Sequence, residues 1–166
     1  VEQVGNLNTS SMGQFGGSDN YADVFQEGNG HTSSIGQLLG SENRAYVTQD
    51  GGNGSTSVLG QIGGDENEAY ISQNGNGHYS LIGSLLGDAN IITVDQRGLQ
   101  QSSEIGVIGG GNMINVGQQG AFHNSSVDVF GNSNMVDVQQ QGILNSSNVN
   151  VIGNGNNCTV KQGLTP

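Results

Sequence analysis

The chain has no Trp, one Pro, one Cys and only three strong cations among 166 residues. Each scarcity excludes something. The single cysteine, Cys158, cannot close an internal disulfide, and it occupies a position where Val, Ile or Ala stand elsewhere, so a small buried hydrophobe is expected there. Three cations against 14 acids give a formal net charge of −11. No basic stripe exists to displace phosphate counterions, which argues against a nucleic-acid partner. No apolar run reaches the length of a membrane-spanning helix. Hydrophobic residues make up 32% and charged residues 10%, with 30 Gly, so a conventional core would be thin. Disordered chains, however, are rich in Pro and charge, and this one is poor in both. Beginning at Val1 without a basic, apolar leader, it reads as a mature, processed chain or a trimmed one.

What is present is a repeat. The phrase Asn-x-φ-x-φ-x-Gln, with φ apolar, occurs seven times, at Asn20–Gln26, Asn43–Gln49, Asn67–Gln73, Asn90–Gln96, Asn112–Gln118, Asn134–Gln140 and Asn156–Gln162. The Asn-to-Asn steps are 23, 24, 23, 22, 22 and 22 residues. A period of this length means a stacked architecture. Alternation with period two marks a strand whose Asn, φ and Gln face inward and whose variable residues face out. A second strand precedes each phrase and begins at Ser10, Ser33, Ser57, Ser80, Ser103, Ser125 or Ser147. Its third inward position is Gln14, Gln37, Gln61 and Ser84 in the first four repeats, then Val107, Val129 and Val151. Gly28, Gly51, Gly75, Gly98, Gly120 and Gly142 end the Asn strands, and a second set, Gly17 to Gly131, marks the other turn. The expected fold is all-β: a β-solenoid of about seven strand-turn-strand coils stacked in register, a cross-β amyloid protomer roughly 35 Å tall at the usual strand spacing. Residues 1–9 read as a partial repeat forming an N-terminal half coil, and 10–166 as the solenoid domain. Asn and Gln amides can bond to identical amides one layer above and below. The candidate functional residues are therefore the interior ladder itself: the seven serines, the seven Asn–Gln pairs, and Gln14, Gln37 and Gln61.

Ser-x-φ-x-(Gln/φ), a Gly turn, then Asn-x-φ-x-φ-x-Gln-x-Gly resembles the curlin repeat of curli subunits, from Ser10 to Gln162. The major subunit is favoured over the nucleating one. The resemblance implies a secreted functional-amyloid subunit that polymerises head to tail into bacterial cell-surface fibres, serving biofilm formation and adhesion. It further implies a nucleator subunit, an outer-membrane secretion pore and periplasmic chaperones as partners, and no cofactor. The sequence departs from that pattern at Ser84, Val107, Val129 and Val151, and in an extra turn residue in the first four repeats.

Other features weigh less. No polar cap covers either end of the repeat array, so both ends are expected to be open for stacking. Asp19, Glu42, Asp65, Glu66 and Asp88 crowd the turn before Asn in the early repeats, predicting assembly that is slow at low salt and speeded by acid or divalent cations. A calcium site there is the sharper alternative. His31, His78 and His123 recur in alternate coils and are expected to be solvent-exposed loop residues, too far apart to share a metal. Tyr46 and Tyr70 should stack. The Gly-rich runs lack the Lys-Ser/Thr of a phosphate loop, and no catalytic constellation is found, so no enzyme is expected. The alternative function is a monomeric β-solenoid module binding ice, polysaccharide or cations.

Overall fold

A computed structural model of the chain describes residues 1–14, 16–37, 39–61 and 63–163, without the side chains of Gln37, Gln61, Ser84, Leu85 and Leu86. Among these residues the regular structure is entirely β. The Asn phrases form the odd-numbered strands: β1 (Glu2–Asn6), β3 (Tyr21–Asn29), β5 (Arg44–Asn53), β7 (Glu68–Asn76), β9 (Ile91–Leu99), β11 (Met113–Ala121), β13 (Met135–Ile143) and β15 (Asn157–Gln162). The Ser phrases form the even ones: β2 (Thr9–Gln14), β4 (Thr32–Gln37), β6 (Thr56–Gln61), β8 (Tyr79–Leu86), β10 (Ser102–Ile108), β12 (Asn124–Phe130) and β14 (Ser146–Ile152). Odd strands make one 8-stranded sheet and even strands one 7-stranded sheet. All pairings are parallel, each strand bonding to its equivalent one repeat away, with Ala45 on Ala69, Val47 on Ile71 and Gln49 on Gln73. This is the expected β-solenoid.

The two sheets enclose a narrow core. Val24, Val47, Ile71, Val94, Val116 and Val138 stack on one side, and Ile35, Leu59, Ile82, Ile105, Val127 and Val149 on the other, all buried. Where the Asn strand opens with Ala22, Ala45 or Ala69, the Ser strand of the same coil carries Gln14, Gln37 or Gln61. Where it opens with Ile114 or Val136, the Ser strand carries Val107 or Val129. Val107 and Val129 are buried in the core beside Ile114 and Val136. Cys158 continues the Ala/Ile column above Val136 and is partly buried against the core.

Two features explain the change of period. Register slips between β8 and β10, where Val107 pairs with Ser84 but Ile108 pairs with Leu86, leaving one extra residue in the earlier coil. A second slip between Glu27 and Asn29 accommodates an extra residue in β5. Here Gly52 rather than Gly51 takes the recurring corner, since an added Cβ at Gly28 would run into the carbonyl of Gly52. The corner glycines are required by their neighbours. At Gly98 φ is 125°, and a Cβ would collide with the Gly120 carbonyl oxygen of the next coil.

Candidate functional site

The glutamine column is a continuous ladder. Nε2 of Gln3 donates to Oε1 of Gln26, and the pattern continues through Gln49, Gln73, Gln96, Gln118 and Gln140 to Gln162 at 2.6–2.9 Å. The same nitrogen donates across the core to the other sheet. Gln26 reaches the Thr9 carbonyl, Gln49 that of Thr32, Gln73 Thr56, Gln96 Tyr79, Gln118 Ser102, Gln140 Asn124 and Gln162 Ser146, at 2.8–3.2 Å. One amide hydrogen thus ties coil to coil and the other ties sheet to sheet. Gln26, Gln49, Gln73, Gln96, Gln118 and Gln140 are buried, so each bond is made away from competing water.

The asparagine column secures the opposite corner. Backbone N–H groups of Asn43, Asn67, Asn90, Asn112, Asn134 and Asn156 donate to Oδ1 of the preceding Asn, at 3.0 Å throughout. Nδ2 of Asn20, Asn43, Asn67, Asn112 and Asn134 donates to the corner-glycine carbonyl of the next coil at 2.8–3.0 Å. Asn43, Asn67, Asn90, Asn112 and Asn134 are buried, Asn20 and Gln162 half-buried, and Asn156 exposed. Gln14 is exposed yet donates to the Asn20 carbonyl at 2.8 Å. Side chains of Gln37, Gln61 and Ser84 lie outside the described residues.

Ser33, Ser57, Ser80, Ser103, Ser125 and Ser147 are buried and Ser10 is half-buried. Oγ of Ser10, Ser33, Ser57, Ser80 and Ser103 has no protein partner, whereas Ser147 donates to Ser125 at 3.4 Å. The small side chain leaves room for the Gln amide to reach the carbonyl of the residue just before each serine. Size rather than hydrogen bonding accounts for serine here.

His31, His78 and His123 are not exposed loop residues. They are buried to 0%, 1% and 2% accessibility. Each ring turns inward at the corner between an Asn strand and the following Ser strand. Nε2 donates to the carbonyl four residues earlier, that of Glu27, Asn74 or Gln119, at 3.0–3.2 Å. Nδ1 accepts the backbone N–H of Ser55, Gln101 or Asn145 in the next coil at 3.2–3.4 Å. This fixes the neutral, Nε2-protonated tautomer. Burial pushes His78 below the ordinary histidine value, against the opposing pull of backbone bonds to Asn74 and Gly98. Three other coils use amides for the same bond, Gln101 to the Arg97 carbonyl and Asn145 to that of Gln141, both at 2.8 Å, with Asn8 to Val4 at 3.1 Å, while Ser55 stands in this column between His31 and His78. Together they form a corner clamp. Residue types in this column vary, so the repeat pattern hides it; the legible signal is a polar residue about five positions after each ladder Gln.

The acidic corner is threaded on the same principle. Oδ1 of Asp65 accepts the Ser41 N–H at 2.6 Å and that of Asp88 accepts the Asp65 N–H at 2.9 Å, while Asn132 and Asn154 take this role later. No group of three or more His, Cys, Asp or Glu stands together as a metal site among the described residues. Outside the Asn-strand sheet, Tyr46 and Tyr70 stack with centroids 4.9 Å apart and planes at 2°. Beside them Arg44 pairs with Glu68 at 2.7 Å, and burial followed by the hydrogen bond to Glu68 raises the Tyr70 hydroxyl.

Comparison with known proteins agrees with this geometry. The family described as the curlin associated repeat matches residues 17–51, a segment holding two Asn–Gln strands, the Ser strand between them and their corners. No curated protein and no solved structure matches the chain. Beyond residue 51 the remaining coils bond in register to the matched ones, column on column. The match over residues 17–51 supports the curlin-repeat family for this chain.

Proposed function

We propose that this chain is a secreted structural subunit that self-assembles into curli-type amyloid fibres of the bacterial extracellular matrix, where the fibres serve biofilm formation and adhesion. The observation that carries the proposal is the translational identity of the levels. Every interior coil is held by Gln-on-Gln and Asn-on-Asn bonds to coils with the same columns. A coil of a second copy offers the same donors and acceptors at the same spacing, so growth along the stack needs no new kind of contact. Head-to-tail polymerisation follows, and the binding partner is another copy of the chain. A nucleator subunit, an outer-membrane pore and periplasmic chaperones complete the proposed assembly route.

Thioflavin fluorescence with electron microscopy of the purified chain tests this. Concentration-dependent growth of unbranched fibres is expected. A chain that remains monomeric and non-fluorescent at all concentrations would favour a capped binding module and overturn the proposal.

A further inference from the structure

Most glycines of this chain stand at corners, where positive φ or the next coil's carbonyl demands them. One column does not. Gly13, Gly36, Gly60, Gly83 and Gly106 stack in register in the middle of the Ser-strand sheet, on its outer face. None of Gly36, Gly60 and Gly83 has positive φ, and an added Cβ at any of them would meet nothing within 4 Å. Glycine weakens a strand interior, and where neither backbone conformation nor crowding within the chain requires it, it marks the close approach of another backbone or a ligand. The result is a trough running along the stacking direction. Ser34, Val58 and Leu81 form a ridge beside it, in register. Asp128 ends the trough, pairing in the column above Gly106.

Charge is segregated around this face. Of 14 acids, the Ser strands carry only Glu104 and Asp128, and β2, β4, β6 and β8 carry none. The others stand on the Asn-strand sheet and at the corners. Two copies, each with a formal charge of −11, therefore repel through every broad face except this one.

We propose that the outer face of the Ser-strand sheet, over β4, β6 and β8, is the surface on which a second copy of this chain packs, pairing two solenoid stacks side by side within one fibre. The face is self-complementary. A two-fold axis parallel to the stack, placed between ridge and trough, seats Ser34, Val58 and Leu81 of each copy in the glycine trough of the other, as in a steric zipper. A patch of three strands at ~4.8 Å by three outward columns covers on the order of 300 Å² per copy, little more than a third of what a standard stable interface buries on each side. Free monomers thus do not pair through it, while stacked subunits add their patches along the fibre.

The proposal rests on polymerisation by stacking, and mass per unit length, measured by scanning transmission electron microscopy, separates the two. A single stack places 17.1 kDa over roughly 36 Å, or ~0.5 kDa per Å; a paired one has ~1 kDa per Å. Wild-type fibres are expected at the higher value. Gly60→Glu is expected to halve it with the cross-β signature intact, since Asp128 shows that the column accepts a carboxylate. Thr48→Glu, on the opposite exposed face, should leave it doubled. Gly60→Leu, which fills the trough without charge, gives the same halving and decides the matter if the Glu variant makes no fibres. Wild-type fibres at ~0.5 kDa per Å, or Gly60 variants that stay doubled, overturn lateral pairing while leaving stacking in place. Single wild-type fibres that bind a β-glucan film through Gly60 would instead assign the trough to polysaccharide. Absence of wild-type fibres overturns both proposals.

Discussion

Acid should loosen the corner clamp at His78, and the loss should be local. Nδ1 of His78 accepts the Gln101 N–H at 3.4 Å, and Nε2 donates to the Asn74 carbonyl at 3.1 Å. A second proton goes to Nδ1, the ring nitrogen that carries the lone pair, and sets two donors against each other. Stranding a buried N–H in this way costs about 1–3 kcal/mol, a loss of roughly 5- to 150-fold in local protection. Burial holds the folded-state value below the ordinary histidine value of 6.5, and the one titratable group acting on the ring is His31, two coils away. The unfolded chain therefore binds more protons below about pH 6.5. The stabilisation is fully present above that pH and is lost as pH falls from there through the lowered folded value. His78→Gln keeps a donor to the Asn74 carbonyl, as Gln101 does one level on, but cannot titrate. Hydrogen exchange of the Gln101 amide, corrected for intrinsic rates, is the assay. Between pH 7.5 and 5.0 wild-type protection should drop and that of His78→Gln should stay flat. Equal drops in the two proteins, or a wild-type rise on acidification, would refute the mechanism.

Four further outcomes follow from the same geometry, each checked by denaturant or thermal unfolding of the monomer unless noted. Gln96→Leu removes the acceptor of Gln73, the donor to Gln118 and the cross-sheet bond to the Tyr79 carbonyl, and should destabilise by about 3–9 kcal/mol at 1–3 per stranded group. Ser57→Ala deletes a buried hydroxyl that has no protein partner and should be neutral or stabilising by up to about 1 kcal/mol; a loss above 2 would show that the hydroxyl is bonded. Ala89 holds φ at 56° in a column where Gly111 and Gly155 stand later, so Ala89→Gly should stabilise by about 1 kcal/mol, while Gly98→Ala should destabilise by more than 2. Stacked carboxylates such as Asp65 and Asp88 repel by roughly 1 kcal/mol per adjacent pair even at water's dielectric constant. Thioflavin half-times should accordingly shorten with added salt, and Asp65→Asn should reduce that dependence.

The solenoid was legible because one face of every strand obeys one rule. Period-two alternation, glycine corners and a constant 22–24-residue step leave a parallel stack as the arrangement in which Asn meets Asn and Gln meets Gln. The histidines were misplaced for a physical reason. A polar residue in a Gly-rich segment reads as exposed, yet here the carbonyl four residues back and an N–H in the next coil occupy both ring nitrogens. Those partners come from the turn geometry and the coil above, and neither is visible in a linear reading. The extra residue in β5 displaced the corner from Gly51 to Gly52 because adjacent glycines are indistinguishable until neighbouring coils fix which one must lack a side chain. The Gly13–Gly106 column was legible in principle, since its spacing follows the repeat, but glycine's association with turns concealed it.

X-ray diffraction from aligned fibres of the purified chain tests the central claim most directly. Stacked coils with the strands perpendicular to the growth axis should give a sharp meridional reflection at about 4.7–4.8 Å, with a diffuse equatorial one near 10 Å from the two sheets of each coil. Fibres lacking the meridional reflection, or showing it on the equator, would contradict growth by continuation of the Asn and Gln ladders.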